Sequence, residues 1–223
     1  MIGGRGPGWG VDWGTPGEIP ADARTAPSDA AAGGIVTEAR RANRAIPPVL
    51  LTGGDLARTL GVDTGRRAVT SPLDEPQGAA GIRVAVDVGA ALVDGRLHWF
   101  VAHLVARRSW WRGRLLVAAN ASFIGRWNAA PRSHPGDGRL DVFDADPPLM
   151  VRLAARRRLP SGTHVPHPDI TQRRTASAQC EFHPALDIYL DGRRLARART
   201  LSLRVEPEAL EVWIPAAGPA GAT

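Results

Sequence analysis

Two aspartates stand four residues apart near the end of the segment Asn120 to Val142, NASFIGRWNAAPRSHPGDGRLDV. Asp137-Gly138 has the composition of a tight turn, and Asp141 follows it. A carboxylate fixed by such a turn can accept a proton from an incoming hydroxyl. Paired acids flanking a Gly/Pro loop are equally at home as exposed turn residues, so the residues alone leave both readings open. His164 and His167 in HVPH fall short of the three or more protein ligands that zinc normally takes, which favours an ordinary loop there. Trp110-Trp111 lie among Arg107, Arg108, Arg112 and Arg114. Indoles beside guanidinium groups suit a membrane interface, and they suit the edge of an aromatic core closed by an Arg-rich turn equally well.

Composition narrows the chemistry further. The chain has 223 residues and a net charge of +6, and all 28 of its basic residues are Arg. With no lysine, Schiff-base chemistry, a P-loop lysine and a lysine clamp on a nucleotide are all excluded. The lone Cys180 excludes an internal disulfide framework or a multi-cysteine zinc site and fits a reducing compartment. Acidic residues are interleaved with the arginines throughout, so dispersed solubilising charge accounts for the excess better than a nucleic-acid patch. Nothing at the start reads as a signal peptide, and the longest nearly apolar stretch, near Arg114 to Gly125, is too short to cross a bilayer.

The elements that must position these residues fall into two textures. Residues 1–20 read as a Gly- and Pro-rich tail carrying Trp9 and Trp13. Residues 21–65 read as a short α/β unit. In it a strand ends near Ala30 to Ala32, Gly33-Gly34 turn, Val36 to Ala45 form a helix, Val49 to Leu51 form a buried strand, and Asp55 caps a helix over Leu56 to Leu60. Residues 66–80 are a polar linker. From 81 to 215 period-2 alternation dominates: Ile82 to Val88, Leu97 to Val105, Arg114 to Ala121, Leu140 to Phe143, Ala185 to Leu190, Arg199 to Val205 and Ala209 to Ile214 are strands. Asp94-Gly95 and Asp191-Gly192 mark tight hairpins. Pro148 to Leu159 is helical, with Leu149, Met150, Leu153 and Ala154 on one face. The fold class is α+β, a truncated α/β unit followed by a mainly antiparallel β-sandwich, with a short tail over 216–223.

The same segments resemble the bacterial diacylglycerol kinase and sphingosine kinase superfamily of lipid kinases. Asn120, Gly125, Pro131, Asp137, Gly138, Leu140, Asp141 and Val142 follow in order that superfamily's N…G…aP.a…DGxLDV pattern. Asp191-Gly192 resembles its DGE hairpin, and Val205-Glu206-Pro207 through Val212 to Pro215 resembles its closing strands. Leu51 to Gly61, LTGGDLARTLG, is similar to its GTGNDLARTLG loop, with Leu51 for Gly and Gly54 for Asn. The nearest counterpart of its GGDGT motif is Ala31 to Glu38, where Gly33 or Ile35 takes the Asp position according to register. That motif arrives too early for a complete first βαβ unit.

The resemblance implies an ATP- and Mg²⁺-dependent kinase that phosphorylates a lipid hydroxyl. It implies Asp137 as the catalytic carboxylate, and Gly33, Gly34, Thr37, Thr52, Gly53, Gly54 and Asp55 beside the nucleotide. It also implies Asp55 and Asp87 in the acidic network near the metal. The missing motif Asp implies the alternative of a catalytically degenerate relative that binds a lipid or a protein. The implied partners are a lipid substrate or an anionic membrane surface, with a homodimer compatible. The implied place is the cytoplasm or the inner face of the membrane.

Overall fold

Alternating β-branched and small residues over 80–93 make one long strand, and a computed structural model of the chain builds its main sheet around that strand. The structure describes residues 14–62, 79–164 and 167–216. In chain order the elements are β1 (Thr15–Glu18), β2 (Arg24–Ala26), α1 (Asp29–Arg41), β3 (Val49–Leu51), α2 (Asp55–Thr59), β4 (Ala80–Val93) and β5 (Arg96–Phe100). There follow β6 (His103–Arg107), β7 (Leu115–Ala119), β8 (Phe123–Ile124), β9 (Trp127–Asn128), β10 (Leu140–Ala145), α3 (Leu149–Arg158), β11 (Ile170–Thr175), β12 (Ser177–Leu190) and β13 (Arg193–Pro215).

The sheet runs β1-β4-β13-β12-β6-β7-β10-β11, with β5 on β4. Its neighbours on this path are antiparallel, while β2 and β3 add a parallel pair alongside β13 through Val49↔Val212. The expected mainly antiparallel sandwich with few helices is therefore what the chain forms. Two cores divide the long strands. Val84, Val86, Val88, Leu210 and Val212 pack against α1, α2, β2 and β3, whereas Phe100, Leu116, Leu140, Phe182, Ile188 and Leu201 fill the space within the sandwich. The change of face comes at an irregularity in β13: Glu206 pairs with Val88 and Leu210 with Val86, so three residues of β13 oppose Asp87 alone. Such bulges re-aim side chains, and this one directs the Glu208 N–H at the Asp87 carboxylate.

Three local expectations are corrected. Residues 15–18 are a strand paired to β4, so the expected tail over 1–20 does not extend through them. Gly33-Gly34 lie inside α1 and make no turn: Ser28 adopts extended backbone and accepts the Ala31 N–H, so the helix begins at Asp29. Removing that cap with Ser28→Ala should cost about 1 kcal/mol in chemical denaturation. The expected strand Leu97 to Val105 is broken at Val101-Ala102, whose N–H groups both turn to Asp191. On α3 the apolar face of Leu149, Met150 and Leu153 is exposed, and Arg152 is the residue buried. Trp9, Trp13, most of the expected linker and residues 217–223 lie outside the described residues.

Candidate functional site

The bulge in β13 and the turn before β10 meet at Asp87. Its carboxylate is fully buried and accepts the N–H groups of Gly138 at 2.7 Å and Glu208 at 2.8 Å. Burial pushes this carboxyl above its ordinary range, against the pull of both N–H groups. By holding Gly138, Asp87 fixes the turn that carries Asp137. Asp137 Oδ1 accepts the Arg139 N–H at 3.0 Å, and its other oxygen pairs with the Arg174 guanidinium. Arg174 Nε lies 3.8 Å from Asp141, which is 2% exposed and also accepts from Gln172. Burial raises the Asp141 carboxyl too, opposed by Gln172 and Arg174. Asp87, Asp137 and Asp141 are thus brought together around one turn.

Alternation along β10 connects this acidic turn to an apolar pocket. Leu140 and Val142 point into the sandwich core, while Phe143 and Ala145, on the same side of the strand as Asp141, line a cavity of about 130 Å³. Trp110, Trp111, Trp127, Leu159 and Ile170 complete much of its wall. Trp110 meets Trp127 edge-on at 5.7 Å and 79°. Arg107 covers Trp110 at 4.5 Å, and Arg156 lies 4.9 Å from Trp111 and 5.5 Å from Trp127. Trp127 Nε1 and His164 Nδ1 are buried there with no hydrogen-bond partner. Burial lowers the His164 pKa, which keeps the ring neutral, and its Nε2 bonds the Ala129 carbonyl. The pocket is an apolar cleft, suited to a ligand that is mostly hydrocarbon.

A second buried group joins the α/β segment to the sandwich. Asp29 accepts the N–H groups of Asp55 at 2.6 Å and Leu56 at 2.9 Å and thereby caps α2. The Asp55 carboxylate accepts the Gly125 N–H at 2.9 Å, and His103 Nδ1 lies 3.8 Å from it. Asp191 is buried beneath Gly33 and accepts the N–H groups of Val101, Ala102 and His103. Asn120 bridges the two groups, donating to the carbonyls of Asp87 and Val101 at 2.8 Å each. The sequence reading matched Asn120 to a pattern without giving it a role, and it missed Asp29. The signal for Asp29 was Ser28-Asp29 ahead of three alanines, a helix-start signature.

The residues expected beside a nucleotide are placed otherwise. The N–H groups of Gly33, Gly34 and Thr37 lie beyond the first turn of α1, where helical hydrogen bonds consume them. A Cβ on Gly33 would stand 2.6 Å from Asp191 Oδ2. Thr52 N–H bonds the Ala26 carbonyl, a Cβ on Gly53 would meet the Pro27 carbonyl at 2.6 Å, and one on Gly54 would meet Asp29 at 2.5 Å. Gly54 also has φ +105°, which favours glycine. Gly53 and Gly54 serve the close packing of their loop on Pro27 and Asp29. Asp55 and Asp87 are held by different partners, and among the described residues no three His, Cys, Asp or Glu are grouped to hold an ion. The N–H groups of Gly33, Gly34 and Thr37 are therefore not free to receive a phosphate.

Residues 83–214, more than half of the chain, match the family described as the YegS C-terminal NAD kinase beta sandwich-like domain. Two solved structures from Bacillus anthracis str. Sterne, each described as a "putative diacylglycerol kinase", share the fold at 14% identity. The likeness covers 75% of this chain and 69% of each of theirs, with TM-scores of 0.52 and 0.54. No curated protein matches the chain.

Proposed function

The chain belongs to the family of the YegS C-terminal NAD kinase beta sandwich-like domain, and from that premise we propose that it is a lipid-binding member that does not carry out efficient phosphoryl transfer. The apolar pocket lined by Trp110, Trp127 and Phe143 carries this reading. A hydrocarbon chain removes the wall from water at roughly 25 cal/mol per Å². The other end of the ligand then lies along the β10 face toward Asp141 and Asp137. Both carboxylates are already partnered by Arg174. Asp29 occupies the start of α2, where a phosphate would otherwise take the free N–H groups.

Dioctanoylglycerol, titrated by calorimetry below its aggregation threshold, should bind saturably, and Ala155→Phe, which fills the pocket from α3, should abolish the heat. Mg²⁺-ATP should give no thermal shift and no transfer of labelled phosphate to that lipid. Absence of saturable lipid binding refutes the lipid reading. Saturable Mg²⁺-ATP binding with phosphate transfer lost in Asp137→Asn would restore the kinase reading, in which Asp137 takes the hydroxyl proton.

A further inference from the structure

Helix α3 has the wrong side outward for a soluble protein. Its buried residue is Arg152, while Leu149 is 52% exposed, Met150 74% and Leu153 37%. Residues three and four apart share a helix face, so Leu149, Met150 and Leu153 form one apolar stripe. Trp111, 45% exposed, lies beside it and lines the same pocket that α3 walls through Ala155, Arg156 and Leu159. The exposed stripe thus lies on the helix that walls the pocket, and the exposed indole is part of that wall.

That area has a cationic border. Arg156, Arg157 and Arg158 close the last turn of α3, and Arg108 and Arg112 flank Trp110-Trp111. Among the described residues none of these five arginines pairs with a carboxylate. The two nearby acids are engaged, Asp144 with Arg114 and Asp146 with Arg152. A protein partner of ordinary composition would satisfy the stripe but has no need of five guanidinium groups without carboxylate partners around it. A bilayer bearing anionic headgroups meets both features at once: apolar residues enter the acyl boundary, the indole sits at headgroup depth, and each arginine meets a phosphate.

We propose that α3 and the Trp110-Trp111 loop dock on an anionic phospholipid surface with the mouth of the pocket facing the bilayer. The proposal rests on the lipid reading of the pocket, because a pocket opening onto the membrane receives its ligand without passing it through water. Docking is by insertion of Leu149, Met150, Leu153 and Trp111. The arginines select charge and make binding fall as salt rises.

Sedimentation with vesicles of phosphatidylcholine alone, and of phosphatidylcholine with an equal share of phosphatidylglycerol, tests the docking. The full chain should bind the anionic vesicles at least tenfold more tightly than the neutral ones. The double variant Met150→Glu/Leu153→Glu should lose at least tenfold on anionic vesicles, while its calorimetric binding of dioctanoylglycerol stays unchanged. These side chains are exposed, so the fold should persist, and unchanged near-UV circular dichroism would verify it. Arg157→Glu/Arg158→Glu should abolish the preference for anionic vesicles. Equal vesicle binding by wild type and Met150→Glu/Leu153→Glu overturns the docking. So does a wild-type dimer that this variant converts to monomer without change on vesicles, which would assign the face to a second copy. Loss of dioctanoylglycerol binding in Ala155→Phe with vesicle binding intact separates pocket from surface. Absence of dioctanoylglycerol binding in the wild type with vesicle binding intact refutes the lipid pocket and leaves the docking face standing.

Discussion

Replacing Asp191 with Ala should cost roughly 3–9 kcal/mol of stability, because each of three buried backbone donors left without a partner costs about 1–3 kcal/mol. The carboxylate accepts the N–H groups of Val101, Ala102 and His103 at 2.8–3.1 Å. Those bonds make the break between β5 and β6 possible. Asp191 itself holds a left-handed turn residue at the β12–β13 hairpin, with φ 49°. The substitution therefore loosens three elements together, and α1 above it loses the surface on which Gly33 rests.

A pH signature distinguishes the carboxyl from a merely space-filling side chain. Burial pushes Asp191 up to about 7 from an ordinary 3.8, against three N–H donors, with Asp29 nearby adding to the rise. The folded state then holds a proton that the unfolded chain has released. Stability from this group is complete below about pH 4 and is lost as pH rises toward 7, on the order of 4 kcal/mol in all. Asp29, also raised by burial, acts in the same direction. His103 is lowered by burial and acts oppositely, costing stability as pH falls below its ordinary 6.5. Arg41, Arg193 and Arg194 line the groove over Asp191, together with His98, whose pKa burial lowers and which therefore acts in the same direction as His103. Urea denaturation from pH 4.5 to 8 should show Asp191→Asn losing less stability across that window than the wild type does. Parallel profiles for the two proteins would refute the assignment.

The hairpins Asp94-Gly95 and Asp191-Gly192 were legible because their turns are local: each pair has positive φ, and Asp-Gly is the sequence that tolerates it. The strands of the sandwich were legible from period-2 alternation for the same reason. What sequence hid was decided at long range. Gly33-Gly34 reads as a turn because glycine is a poor helix former. Its place in α1 follows from the carboxylate of Asp191, far along the chain, which leaves no room for a side chain at position 33. An Asp there would restore the look of a kinase motif and collide with Asp191. The break at Val101-Ala102 has the same remote cause. Asp137, Asp141 and Asp87 were found as residues, but their meeting depends on the irregularity at Glu208. Helix α3 shows period reading at its limit. Periodicity identified the apolar face correctly, and only the four acceptors awaiting a guanidinium decided which face turned inward.

Those acceptors define the second large effect, a loss of about 3–5 kcal/mol in Arg152→Ala, the range expected when one partner of a buried charge network is removed. The Arg152 side chain is 6% exposed. Its Nε donates to the Pro147 carbonyl at 2.8 Å and Nη1 to the Trp110 carbonyl at 3.4 Å, while Nη2 reaches the Gly113 carbonyl and Asp146. One guanidinium thus fastens the Trp110-Trp111 loop to the start of α3, across the pocket that both elements wall. Its removal should also weaken dioctanoylglycerol binding. Arg152→Lys keeps the charge but not the planar fork, and should still lose about 2 kcal/mol. Asp146 is 63% exposed at its side chain, so Asp146→Asn should stay within about 0.5 kcal/mol of wild type. Urea denaturation of the three variants separates the contributions. A large loss in Asp146→Asn with little in Arg152→Lys would place the fastening in the exposed ion pair instead of the buried carbonyls.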